Sequence, residues 1–284
     1  MAVNSTATAT ARKSILITGC SSGIGLHAAV GLQQRGYQVI ASARSEDDVE
    51  RLRQMDLTTV QLDLNDSDSI ARAVEETLTI TNGRLDALFN NGAYGQPGAV
   101  EDLSREALRE QFETNVLGWH ELTRRVLPVM RRQGHGRIVY NSSVLGFVAM
   151  RYRGAYNASK YAIEGLADTL RLELRGSGIH VSLIEPGPIE SRFRANAFLA
   201  YRRNIDAEHS VHRAAYGGME KRLLKEGPAA SFTLPPEAVL KKLVHAIESP
   251  RPQPRYYVTF PTYLFGMLKR VLSTRLLDRL LCRV

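Results

Sequence analysis

Tyr156 and Lys160 stand at i and i+4 in GAYNASKYAIEG, residues 154–165. On a helix, two such side chains lie one above the other on one face. A free phenol titrates near ~10, too high for easy proton exchange at neutral pH. An ammonium beside it favours the phenolate and lowers that value. The pair is therefore a candidate proton donor with a tuning cation, although an aromatic contact beside a solvated Lys has the same spacing. Upstream, Ser142 and Ser143 are adjacent near the end of an apolar run. On a strand their side chains point to opposite faces, so only one of them can share a cleft with Tyr156.

A second chemical feature is ILITGCSSGIG, with glycines at 19, 23 and 25 between a strand-like run and a helical one. Glycines there allow a tight turn and close backbone approach to a phosphate, which the helix N-terminus then holds. The spacing is G-x-x-x-G-x-G and not G-x-G-x-x-G, and in this strand–turn–helix setting it points to a dinucleotide. Where a bare ribose hydroxyl is recognised, the second strand ends in a carboxylate about 20 residues on. Here that strand ends in ASAR, with Ala43 in the acid's place and Arg44 next. A guanidinium suits a 2′-phosphate, so NADP(H) is expected. Glu46, Asp47 and Asp48 close behind keep open a merely solvated Arg44.

The elements that must position these residues alternate. Strand patterns occur at 14–18, 38–42, 58–62, 86–90, 136–142, 180–186 and 255–260. Helical patterns cover 23–35, 47–55, 67–80, 105–133, 155–176 and about 234–249. Strands separated by helices imply crossovers and a parallel sheet, and the strands are apolar on both faces, as a sheet covered on both sides requires. The expectation is one doubly wound α/β domain of about seven strands over 14–260, after a frayed tail at 1–13. Residues from about 190 to 235 lack a clear period and read as a partly helical insertion of the active-site-lid kind. Residues 261–284 are basic and amphipathic, with Lys269, Arg270, Arg275, Arg279 and Arg283 among Leu and Val. They suit packing on the body or a partner subunit, or peripheral contact with an anionic membrane.

The 284 residues, 44% apolar and 23% charged, suit a soluble globular chain with a real core. Its formal charge of +8 comes without a nucleic-acid motif, so a solvated surface is the plainer reading. Cys20 and Cys282 have no metal or disulfide spacing, which points to a reducing, cytoplasmic setting. His209 and His212, at i and i+3, lack further ligands nearby, so no metal is expected. The Ser/Thr-rich N-terminus has no apolar core of a secretory signal and only faintly resembles a transit peptide.

In order along about 14–260, TGCSSGIG, LDL at 62–64, NNGA at 90–93, ETNVLG with Asn115, NSS at 141–143, YNASK at 156–160 and PGPIES at 186–191 resemble the short-chain dehydrogenases/reductases. A less specific likeness, in NSSVLG and SLIEPGPI, runs to bacterial NADP-dependent aldehyde reductases and to retinol and 17β-hydroxysteroid dehydrogenases. The resemblance implies a Rossmann-like fold and a homo-oligomer, dimer or tetramer. It implies cofactor contacts from Gly19, Ser21, Ser22, Gly23, Ile24, Gly25, Arg44, Asp63, Leu64, Asn90, Gly92, Tyr156, Lys160, Pro186, Gly187, Ile189 and Ser191. Two departures stand out: Gly92–Ala93 reverses the family's Ala–Gly order, and Ser191 replaces its Thr.

The family's Ser stands thirteen residues before its Tyr, which selects Ser143 as the donor to a substrate oxygen. Tyr156 would be the acid in reduction, Lys160 would also reach ribose hydroxyls, and Asn115 would hold a relay water. Segments 94–98, 144–153 and 187–230 would line the substrate site, with Tyr94, Phe147, Met150, Tyr152, Phe193, Phe198 and Tyr201 as apolar candidates. The implied activity is NADPH-dependent reduction of apolar medium or long aldehydes, retinoids or steroids. The alternatives are the same chemistry run as alcohol oxidation, or a cofactor-sensing protein without turnover.

Overall fold

The computed structural model describes residues 12–228 and 230–283, so most of the expected N-terminal tail lies outside the described residues. Seven strands form one sheet: β1 (Ser14–Ile17), β2 (Gln38–Ala43), β3 (Thr58–Gln61), β4 (Ala87–Asn90), β5 (Gly136–Asn141), β6 (Ile179–Glu185) and β7 (Arg255–Tyr257). Their order is β3-β2-β1-β4-β5-β6-β7, and every neighbouring pair is parallel. The order reverses between β1 and β4, which opens a crevice at the carboxyl ends of the strands.

Successive residues of β1 serve opposite faces of the sheet. Ile15 and Ile17 pack with α1 (Gly23–Gln34), α2 (Glu46–Arg53) and α9 (Glu237–Glu248). Leu16 packs with α3 (Ser67–Ile80), α5 (Gly118–Gln133) and α6 (Gly154–Glu173). The strand patterns are apolar throughout because both faces are covered. Helix starts follow local chemistry: Ser45, Asp66 and Ser104 each accept a backbone N–H of the first turn of α2, α3 and α4 (Arg105–Phe112).

Two boundaries differ from the sequence expectation. The helix expected over 105–133 is α4, then a π-helical turn at Glu113–Leu117, then α5. The last strand stops at Tyr257, because Pro261 opens α10 (Phe260–Val271).

The insertion forms α7 (Phe193–Asn204) and α8 (Arg213–Leu224). Its ends are pinned together by Glu190 N–H donating to Leu234 O at 3.0 Å and Leu234 N–H donating to Pro188 O at 3.2 Å. It owns a small core of Tyr201, Ile205 and Tyr216 joined by Tyr152 and Phe198. Aromatic packing of two short helices explains why no clear period marks this stretch.

The basic extension continues α10 into α11 (Thr274–Leu281). Phe265, Leu268, Leu277 and Leu281 pack on Val144, Leu145 and Val148, so the extension leans on the loop between β5 and α6. Its other side leaves Phe260, Tyr263, Met267 and Val271 exposed. Among the described residues, no helix is long and apolar enough to cross a membrane.

Candidate active site

The turn after β1 is built of backbone. Gly19 has φ +70°, and a Cβ there would lie 2.5 Å from Gly92 Cα. A Cβ on Gly25 would lie 2.2 Å from the Gly19 carbonyl oxygen. Gly23, at φ +55°, faces Ser191, whose Cβ is 2.9 Å from the missing side chain. No side chain fits at these points. Ser22 begins α1 without a side-chain cap, so the helix's first N–H groups keep their capacity for an anion. The small Gly92 takes part in the close approach, and the reversed Gly–Ala order leaves it possible. The turn therefore fits the pyrophosphate of a dinucleotide.

Neighbouring side chains brace this turn. Thr18 Oγ1 accepts from the N–H groups of Asn91 and Gly92, both at 2.8 Å. Asn91 Nδ2 donates to Thr18 O at 2.9 Å, and Asn91 Oδ1 accepts from Asn141 Nδ2 at 2.9 Å. The side chain of Asn90, expected at the cofactor, instead points into the core and donates to Thr123 Oγ1 at 3.0 Å. Alternation along β4 explains the difference: Asn90 still belongs to the strand and turns to the core, whereas Asn91 has left it and braces the turn.

Arg44 is exposed just past β2 and its carbonyl accepts from Gln61 at 3.0 Å. Arg51 reaches back from α2 to donate to Ser21 O at 2.6 Å, which adds a second guanidinium beside the turn. Asp63 Oδ1 accepts from Asn65 N–H at 3.0 Å, shaping the turn in which Leu64 meets Gly92 and Gly118.

At the ends of β5 and α6, Ser143, Tyr156 and Lys160 come together. The Ser143 hydroxyl lies beside the phenol of Tyr156, whose charged form it favours, and accepts from Leu145 N–H at 3.1 Å. Lys160 Nζ donates to Asn141 O at 2.8 Å, sits 4.3 Å from the Trp119 ring centroid and 5.5 Å from that of Tyr156. Ser142 turns the other way and donates to Glu164. Burial dominates the electrostatics of both titrating groups. It pushes the Tyr156 phenol up to about 12 and the Lys160 ammonium down to about 7. The expected lowering of Tyr156 by Lys160 is thus overridden: desolvation penalises each charged form, while the ammonium is spent on a carbonyl and an indole face. A Tyr in this state is a neutral phenol at pH 7, a donor of protons.

Asn115 lies in the π turn and is fully buried. Its side chain accepts from Tyr94 N–H at 3.2 Å and donates to Tyr94 O at 2.9 Å and to Ser159 Oγ at 3.1 Å. Gln111, one turn earlier, accepts from Gln96 N–H at 2.7 Å, and Trp119, one turn later, donates to Gly92 O at 2.7 Å. Three side chains at i, i+4 and i+8 thus grip the loop after β4. Gln111 and Trp119 escaped the sequence reading, although their spacing from Asn115 was available to it.

The segment after β6 closes this region. Pro186 O accepts from Val144 N–H at 2.9 Å, and a Cβ on Gly187 would lie 2.2 Å from Thr259 Oγ1. Ile189 bridges to Leu234, and Ser191 Oγ accepts from Phe193 N–H at 3.4 Å. Of the apolar candidates, Phe193 meets Tyr156 edge-on at 5.3 Å, and Met150 and Phe147 share its cluster. Tyr152 differs: it packs edge-on against Tyr216 at 6.0 Å, in the insertion's own core with Phe198 and Tyr201. The Tyr94 hydroxyl is buried with no partner among the described residues. His209 hydrogen-bonds Asp206 at 2.8 Å and His212 hydrogen-bonds Glu101 at 2.5 Å, both away from the crevice residues.

A carboxylate group that sequence reading missed lies beside the cluster. Arg255 of β7 bonds Glu164, Glu185 at 2.6 Å and Asp168 at 2.5 Å. Glu185 is completely buried, one oxygen has no partner among the described residues, and burial beside Glu164 raises it to about 8. These partners are 70 to 91 residues apart, so no local pattern marks them.

With this geometry in view, the chain belongs to the short chain dehydrogenase family, whose model matches residues 13–201, and it is an oxidoreductase of that family. It is 45% identical over 270 residues to the uncharacterized oxidoreductase YbbO of Escherichia coli, covering 95% of this chain and 94% of that one. It is 35% identical over 264 residues to human 17-beta-hydroxysteroid dehydrogenase type 1, covering 88% and 78%. Among solved structures, a short chain dehydrogenase/reductase from Burkholderia phymatum in complex with NAD superposes with a TM-score of 0.76 at 25% identity, covering 92% of each chain.

Proposed function

We propose that the protein reduces the carbonyl of apolar aldehydes or ketones to an alcohol with NADPH, Tyr156 supplying the proton. The observation that carries this reading is the meeting of Ser143, Tyr156 and Lys160 beside a turn that only backbone can occupy. The dinucleotide, when bound, supplies the hydride. The N-terminus of α1 and the Gly19–Gly25 turn would hold its pyrophosphate, and Arg44 with Arg51 would meet a 2′-phosphate where Ala43 offers no competing carboxylate. Lys160 would turn toward its ribose hydroxyls.

At the reacting carbonyl, Ser143 and Tyr156 donate to the oxygen as negative charge develops there. Tyr156 then gives up its proton. Lys160 holds positive charge close to the phenolate left behind. Asn115, in its π turn, would orient a water on the path by which Tyr156 is reprotonated. Phe193, Met150 and Phe147 would exclude water and meet an aliphatic or polycyclic substrate. A cytoplasmic location and a homo-oligomer complete the reading; two free cysteines favour the first, and light scattering tests the second.

The test is NADPH consumption with a panel of aldehydes of rising chain length, for wild type and Tyr156→Phe. Turnover by wild type that improves from acetaldehyde to decanal and vanishes in the variant is expected. Undiminished turnover in the variant overturns the assignment of Tyr156. Absence of turnover by wild type on any carbonyl favours a cofactor-sensing protein.

A further inference from the structure

The stripe that begins at Tyr156 and Lys160 continues at the same spacing to Glu164 and Asp168, both on α6. Its first three members meet three consecutive residues at the end of β5. Tyr156 meets the Ser143 hydroxyl, Lys160 donates to Asn141 O at 2.8 Å, and Glu164 accepts from the Ser142 hydroxyl. The loop above leaves no slack. A Cβ on Gly146 would lie 2.7 Å from Ser142 Oγ and 2.9 Å from Glu164 Oε1. Ser143 sits between these anchored points. Arg255 of β7 then holds the far oxygen of Glu164 and continues to Asp168 and Glu185.

A partly buried ionic cluster gains little stability, because desolvating its inner carboxylates offsets their attraction to Arg255. If its only task were to fasten α6 to the sheet, apolar residues would serve. What it has that they lack is charge one turn from Lys160. The groups facing Lys160 are the Trp119 ring from α5, the Asn141 carbonyl from β5, and Tyr156 and Glu164 from its own helix. Glu164 is the one carboxylate among them, and it opposes the loss of the ammonium that burial favours. Glu164 in turn faces Ser142 from β5, Glu185 from β6, Arg255 from β7 and Asp168 on α6.

We infer that Glu164 is a positioning residue for the reaction: it fixes, through Ser142, the strand end that presents Ser143, and its carboxylate, one turn along α6, favours the charged form of Lys160 beside Tyr156. This rests on the carbonyl-reductase reading above. The two roles separate by substitution. Glu164→Gln keeps an acceptor for Ser142 and removes the charge. Ser142→Ala keeps the charge and removes the tether.

The experiment is kcat against pH from about 6 to 9 with the full chain, NADPH and the best aldehyde of the panel, together with the 13C shift of the Lys160 side chain in lysine-labelled protein, assigned with Lys160→Met. In Glu164→Gln the fall of kcat on the basic side and the Lys160 titration both move to lower pH, by about one unit. Glu164→Asp restores both toward wild type. Ser142→Ala lowers kcat about tenfold across the range, with no displacement of the curve. Should the single Gln variant not fold, Glu164→Gln with Arg255→Gln removes opposite charges together, and a smaller displacement in the same direction is expected, because losing the Arg255 cation partly offsets losing the nearer carboxylate. A Glu164→Gln protein with a lower melting temperature but a wild-type titration of Lys160 overturns the inference and leaves a structural fastening. The labelled-lysine titration needs no turnover. A failure of the carbonyl-reductase reading would therefore show as an inactive wild type whose Lys160 still responds to Glu164.

Discussion

The two halves of the crevice are built from opposite materials. Around β1 and α1 the site is backbone, and side chains are excluded: at Gly19 and Gly25 a single methyl group would overlap main-chain atoms. Around β5 and α6 the site is side chains, held in place by the buried Ser142, Lys160 and Glu164 and by the half-buried Arg255. The first half answers to shape and leaves the N–H groups at the start of α1 able to hold an anion. The second answers to charge and hydrogen bonding and prepares a reaction. Substitutions should therefore fail differently on the two sides, with binding lost on one and chemistry on the other.

The largest effect is expected on the side-chain half. Tyr156→Phe should lower kcat by about a thousandfold, within the usual range for a lost general acid, while the NADPH dissociation constant read from its fluorescence stays within a few-fold of wild type. A matching loss of binding would erase the contrast between the halves. Next, Gly25→Ala should weaken NADPH by about ten- to a hundredfold, since strain of roughly 1–3 kcal/mol falls on the turn that would hold it, and calorimetric titration measures this. Wild-type binding would show that the turn yields.

A smaller change is expected at Arg44→Ala. It should raise the KM for NADPH by about tenfold, the worth of a charge-assisted hydrogen bond, and leave that for NADH unchanged; equal effects on both would move the 2′-phosphate contact to Arg51. The smallest effect concerns pH and stability. Burial raises Glu185 from its ordinary 4.5 to about 8. The fold therefore keeps a proton that the unfolded chain has released. Its contribution is full below 4.5 and is lost as pH rises through about 8. Glu185→Gln, neutral at every pH, should flatten the decline in melting temperature between about pH 5 and 9, as calorimetry would read it. A slope unchanged from wild type would place the proton elsewhere.

The backbone half was the more legible in the sequence. Its glycines are neighbours in the chain, and their necessity is local. The strands were legible for the same reason, each being a short apolar run, and so was the spacing of Tyr156 and Lys160. Less legible was whatever depends on packing. Asn90 and Asn91 are adjacent, and only the end of β4 decides which of them turns to the core and which braces the turn. Tyr152 was legible as an aromatic near the crevice, but its company of Tyr201 and Tyr216 comes from α7 and α8, far along the chain. Arg255 meets Glu164 across 91 residues, a distance over which no period extends.

The π turn at Glu113–Leu117 has a consequence for how this chain tolerates change. It sets the rotational phase between α4, whose Gln111 grips Gln96, and α5, whose Trp119 grips Gly92. Each residue of an α-helix advances about 100° around the axis. Losing one residue here would swing one of those two grips off the loop, however well the remaining sequence suited a helix. Point substitutions on the exposed side of this segment, such as at Leu117, should be absorbed. A single-residue deletion anywhere within it should not, which makes helix length a stricter constraint here than residue identity.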